Sequence, residues 1–114
     1  MEWQIIQTEA EIQPLIEMSN RHPVLFFKHS TRCSISNTAK SRLEKLWPQL
    51  STHSILAAYI DVLTNRASSA LLSSIALVEH ESPQAILFHN GQCIYHQSHL
   101  GIDVEEMLKA IENN

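Results

Sequence analysis

Two unbroken apolar runs constrain this chain more than anything else in it. Val24-Leu25-Phe26-Phe27 follows Pro23, and Ile55-Leu56-Ala57-Ala58-Tyr59-Ile60 ends at Asp61. Short continuous runs of this kind fit strands covered on both faces, not strands with one wet face. Between them, Lys28 to Arg32 reads as a polar turn. A helix is predicted from near Cys33, because Ala39, Leu43, Leu46, Trp47 and Leu50 recur at helical spacing and Pro48 disturbs only its end. Strand, helix and strand in that order imply parallel pairing with helices laid over the sheet.

The flanking segments extend the pattern. Trp3 to Ile6 predicts a short first strand. Thr8-Glu9-Ala10-Glu11 has the form of a capping box for a helix through Leu15, Ile16 and Met18. Pro14 conflicts with that helix, since an internal proline removes a ladder bond. Asn65 to about Ile75 predicts another helix, with Ala67, Ala70 and Leu71 turned inward. Gln84 to Phe88 reads as a strand and Gln92 to His96 as its return, joined by Asn90-Gly91, a strong hairpin signal. Asp103 and Glu106 cap a last helix striped by Val104, Met107, Leu108 and Ile111. The predicted order is β-α-β-α-β-α-β-β-α: one α/β domain over residues 1–114, a mixed central sheet flanked by helices. That order is the thioredoxin fold.

Composition narrows the function. Twelve acids against eight bases give a net charge of −4, and no Lys/Arg run interrupts the balance, so a nucleic-acid partner is not expected. No stretch reaches the roughly 18 apolar residues of a membrane span, and the acidic N-terminus lacks a signal pattern. The expected location is the cytoplasm, away from membranes. Gly91 and Gly101 are the only glycines, so the Gly-rich phosphate loops are missing.

Cys33 carries the chemistry. A thiolate is the reactive form of cysteine, and a helix N-terminus stabilises it through unpaired N–H groups and the macrodipole, with pKa values falling from about 8.5 to roughly 3.5–7.5 in such places. Lys28, His29 and Arg32 add positive potential nearby. Ser30, Thr31, Ser34 and Ser36 offer hydroxyls to the sulfur or to the helix end. The motif Cys33-Ser34-Ile35-Ser36 is C-x-x-S. Serine forms no disulfide, which excludes a local two-cysteine cycle and leaves monothiol exchange with a mixed disulfide. Downstream, Ser82-Pro83 precedes a strand. X-Pro bonds tolerate the cis form, and a cis turn leaves the Ser82 backbone free to pair with a ligand beside Cys33. His29 either tunes Cys33 or simply ends its strand. Cys93 reads as packing, as do Trp3 and Trp47. The histidines, including His96 and His99 in an H-x-x-H, are scattered without a C-x-x-C or H-E-x-x-H, so no metal site is expected.

Several blocks together resemble a known family. Lys28 to Ser36, Asp61-Val62, Asn65-Arg66, His80-Glu81-Ser82-Pro83-Gln84-Ala85, Asn90-Gly91 and His96 to His99 are similar to the YtxJ family, the monothiol bacilliredoxins of type C. The resemblance spans essentially the whole chain. It implies a thioredoxin-like fold and removal of bacillithiol, a small cysteine-containing thiol, from S-bacillithiolated client proteins. Under it Cys33 is the nucleophile, His29, Ser30, Thr31 and Arg32 form the approach, and Ser82 and Pro83 form the cis-proline site. No bound cofactor is implied; bacillithiol is a co-substrate. Ser34 stands where members often carry proline. Two other readings stay open: a binding module, such as one ligating an iron–sulfur cluster through one cysteine per subunit, and a redox-inert domain. The absence of a Cys-Gly-Phe-Ser motif counts against the cluster.

Overall fold

The structure, a computed structural model, describes residues 1–114. In chain order its elements are β1 (Gln4–Ile5), α1 (Ile12–Met18), β2 (Val24–His29), α2 (Ser34–Leu46), β3 (Leu56–Asp61), α3 (Arg66–Ala76), β4 (Gln84–His89), β5 (Gln92–Ser98) and α4 (Val104–Glu112). The five strands form one sheet in the order β1-β3-β2-β4-β5. β1 and β2 lie parallel to β3, while β4 is antiparallel to both β2 and β5. The mixed sheet expected from the element order is the one observed.

Both faces of the sheet are covered, which is why the runs in β2 and β3 are apolar without alternation. Leu25 and Phe27 point to one face and pack with Ala39, Leu43 and Trp47 around α2 and with Val104, Met107 and Ile111 of α4. Val24 and Phe26 point to the other and meet Ile12, Leu15 and Ile16 of α1 and Leu72 of α3. Phe26, Phe27 and Phe88 are at most 1% exposed, and burying each contributes roughly 1.5–3 kcal/mol. Trp3 stacks on Phe27 at 5.7 Å and reaches Trp47 at 6.3 Å, so the indoles are core, as expected.

Local chemistry explains the ends of the elements. Glu11 closes the predicted capping box, its carboxylate accepting the Thr8 N–H at 2.8 Å. That box starts a single 3-10 turn over Glu9–Glu11, and α1 follows from Ile12. Pro14 therefore falls in the first turn of α1, where its missing N–H would have had no partner. Asn90 and Gly91 both take positive φ (55° and 77°), the requirement of the tight hairpin their sequence predicts. Asp103 accepts the Glu105 N–H at 2.9 Å to start α4.

Two expectations are corrected. Lys28 and His29 do not belong to a turn; they complete β2, both buried. The inner face of α3 is formed by Ser68, Ser69, Leu72 and Ser73, whereas Ala67 and Ala70 are exposed and Leu71 is half-buried. One of the serines is there for a polar reason: Ser73 Oγ accepts a hydrogen bond from the buried Lys28 ammonium.

Candidate active site

Successive strand residues point to opposite faces, so the last two residues of β2 serve different neighbourhoods. His29 faces α2. Its ring lies against Phe27 (5.8 Å) and Tyr59 (5.4 Å), and its Nδ1 meets Ser36 Oγ. Ser36 also accepts the Ser30 N–H at 3.0 Å. A hydroxyl has one proton to give, and His29 Nδ1 is the acceptor it meets. Burial, and then the charge of Lys40, lower the His29 pKa, so the imidazole is neutral at neutral pH.

Those bonds close the turn between β2 and α2 and set the position of Cys33. The Cys33 N–H donates to the Ser30 carbonyl at 3.1 Å, and the Cys33 carbonyl accepts the Asn37 N–H at 3.1 Å. Cys33 is thus the N-cap of the 13-residue α2, in extended conformation (φ −109°, ψ 120°) and half-buried. The following amides of Ser34, Ile35 and Ser36 have no backbone acceptor, as at any helix start. They form the positive end of the α2 dipole beside the sulfur.

The expected roles of the hydroxyls are redistributed. None of Ser30, Thr31, Ser34 or Ser36 makes a hydrogen bond to the Cys33 sulfur. Ser36, completely buried, is committed to His29 and Ser30. Thr31, Arg32 and Ser34 are exposed around the cysteine, and Arg32 has no ion-pair partner. Of the two roles left open for His29, the structure shows that it ends β2, and its ring bonds Ser36 and not the sulfur. Ser36→Ala should cost about 2 kcal/mol, since it orphans both the Ser30 N–H and the His29 ring nitrogen at about 1 kcal/mol each. Urea denaturation checks this; an unchanged midpoint would dismiss the pinning role.

Ser82-Pro83 is cis. Gln84, the next residue, pairs with Lys28 in the sheet, so the cis bond lies at the end of β2 from which Cys33 follows. Pro83 C=O accepts the His99 N–H at 2.9 Å, whereas the Ser82 backbone makes no hydrogen bond. A free N–H and C=O in this place can pair with an extended ligand.

Cys93, on β5, is half-buried beside the cluster around Phe88. Its thiol donates to the Tyr95 carbonyl at 3.5 Å, and burial pushes its pKa up. Both features fit a packing role for this thiol. Cys93→Ala should leave the reactivity of Cys33 toward a disulfide probe unchanged; a loss would show that both sulfurs are needed. No three His, Cys, Asp or Glu side chains group closely enough to hold a metal ion, His96 and His99 included.

The residues that spacing alone missed lie on the other face. Lys28 is fully buried, bonded to Ser73 Oγ and, at 3.0 Å, to His80 Nδ1, with no carboxylate beside it. Desolvation lowers its pKa from 10.5 to about 8. The sequence held one signal for this: Lys28 continues the every-second-residue row of Val24 and Phe26.

Comparison with known proteins agrees with this geometry. The profile of a family described as "Monothiol bacilliredoxin BrxC" matches residues 4–107. Among solved structures, a protein proposed as an oxidoreductase with a thioredoxin fold superposes with a TM-score of 0.82 at 27% identity, covering 96% of this chain and 93% of its own. Fasciola hepatica thioredoxin gives 0.72 at 16% identity, with 96% and 97% covered. Reduced Schistosoma mansoni thioredoxin gives 0.73 at 13%, with 99% and 98% covered. The fold is thioredoxin-like.

Proposed function

The chain belongs to the monothiol bacilliredoxin family, a group of thiol-disulfide oxidoreductases, and on that premise we propose that Cys33 removes a small thiol, bacillithiol, from mixed disulfides on client proteins. The Cys33 thiolate attacks the sulfur of the small thiol. The client–thiol disulfide breaks, the client leaves as a thiolate that takes a proton from water, and Cys33 holds the small thiol as a new mixed disulfide. A second low-molecular-weight thiol then attacks that disulfide and frees Cys33, carrying the small thiol away as a disulfide. The location that suits this chemistry is the reducing cytoplasm.

One observation carries the reading. Cys33 sits half-exposed at the N-cap of α2 among free amides, while the side chain three residues on, Ser36, is buried and bonded elsewhere. A sulfur placed there has charge-stabilising dipoles around it and no neighbouring thiol to form an internal disulfide. The Ser82 backbone is the natural partner for the extended part of the incoming disulfide. Thr31, Arg32 and Ser34 frame the approach.

The test is intact mass spectrometry of the reduced protein mixed with an S-bacillithiolated client and, in competition, a glutathionylated one. The expected product is a bacillithiol-sized adduct on Cys33 with the client released. An adduct of glutathione alone would change the co-substrate. No adduct from either, with the fold verified, would leave the thioredoxin-like domain as a binding module.

A further inference from the structure

A cavity of about 360 Å³ opens between the loop after β3, the first turns of α3 and the segment leading into Ser82-Pro83. Val62, Leu63, Arg66, Ser69, Ala70 and His80 line it, and none is acidic. Its polar side chains are largely unpartnered. Arg66 has no ion-pair partner. Ser69 is 3% exposed, and its Oγ has no hydrogen-bond partner, whereas buried hydroxyls are almost always satisfied. His80 accepts the Lys28 ammonium at Nδ1, so its own ring proton is on Nε2 and available to donate. The N-cap residue of α3, Asn65, supplies no side-chain cap to the helix amides.

Arg66 and His80 come from separate stretches of a chain whose net charge is −4, yet both line the cavity, with the buried Lys28 bonded to His80 from within the fold. Arg66 and the His80 Nε2–H have no partners within the chain; of the carboxylates nearby, Asp61 already accepts the Leu63 N–H at 2.9 Å and Glu81 follows His80 in sequence, and the free donors fit an anion. The planar fork of Arg fits a carboxylate in particular. The volume lies at the low end for small-molecule cavities and suits a fragment of a small molecule better than a peptide segment. The placement is also apt. Asp61, just before the cavity, pairs with His29, and His80 precedes Ser82 by two residues, so the cavity opens at the end of the sheet that bears Cys33.

We propose that this cavity takes a carboxylate of the small thiol transferred at Cys33, with Arg66 as the forked contact and His80 donating beside it. The inference rests on the transfer reading and adds what selects the thiol. Two measurements test it. In the first, transfer is followed from clients capped with carboxylate-bearing bacillithiol or with cysteamine, which has no carboxylate. Arg66→Ala should lower kcat/KM about tenfold for the first client, mainly through KM, as expected for one lost charge-assisted contact. The cysteamine-capped client should not show that loss, and Arg66→Lys should recover part of it. An equal loss for both clients, or none for either, overturns the proposal. In the second, reduced bacillithiol is titrated into isotope-labelled Cys33→Ser protein, which cannot exchange. The amide signals of Arg66, Ser69 and His80 should shift, and cysteamine should leave them in place. Transfer by the native protein without such shifts would overturn the carboxylate site alone. Shifts without transfer would overturn the transfer reading and leave the site standing.

Discussion

Cys33→Ser is expected to reduce thiol transfer to background while leaving the melting temperature equal to or slightly above that of the native chain. The two halves of this result have separate causes. The sulfur is the proposed nucleophile, and an alcohol is not ionised at neutral pH and forms no disulfide. The backbone role of Cys33 is that of an N-cap, and its side chain supplies no capping bond. Serine is among the preferred N-cap residues because its hydroxyl accepts an amide of the first turn, so the replacement adds a bond that the thiol does not make. Mass spectrometry of the client and a thermal melt read both halves together. Lost transfer with a large fall in melting temperature would mean that Cys33 is held for packing.

The second large effect concerns Lys28. Burial lowers its pKa from 10.5 to about 8, which at ~1.4 kcal/mol per unit amounts to about 3 kcal/mol against the charged form in the folded chain. No carboxylate offsets that cost. Lys28→Met keeps the length and apolar stem of the side chain and removes the charge. It should raise stability at pH 7 by about 1–3 kcal/mol, in line with replacements of buried ionic groups by apolar ones. The sign with pH follows from linkage. Between about 8 and 10.5 the unfolded chain holds a proton on Lys28 that the folded chain has released, so native stability rises with pH across that window. The advantage of Lys28→Met should therefore be largest below pH 8 and shrink toward pH 10.5. Urea titrations at pH 7, 9 and 10 check it; a constant gap would mean that the ammonium is not desolvated.

Much of the fold was legible because its punctuation is local. Thr8 with Glu11, Asn90 with Gly91, Asp103 before α4 and the unalternating runs of β2 and β3 each mark an element through chemistry within a few residues. The place of Cys33 at a helix start was legible for the same reason. Errors arose where polarity was taken for exposure. Lys28 and His29 looked like a turn because nothing in their own segment shows that Ser73, His80 and Ser36 wait for them from elsewhere in the chain. The alanines of α3 looked buried because small apolar residues and serines differ little in size. Which of them faces the sheet depends on where Asn65 starts the helix and on the polar needs of Lys28. The cavity of Arg66, Ser69 and His80 has no sequence motif, since its parts meet only after folding.

The opposite facing of Lys28 and His29 has a consequence for how this strand tolerates change. Apolar alternation usually proofreads a strand, because a one-residue slip throws greasy side chains into water. In β2 the residues Val24, Leu25, Phe26 and Phe27 are buried on either face, so such a slip would leave the core nearly as apolar as before. It would instead reverse the faces of the two polar residues, turning the imidazole to the α3 side and the ammonium to the α2 side. The reading frame of the central strand is therefore guarded by two hydrogen-bonded side chains. Single-residue deletions within β2 should yield chains that still collapse around a core but present their chemistry on the wrong sides.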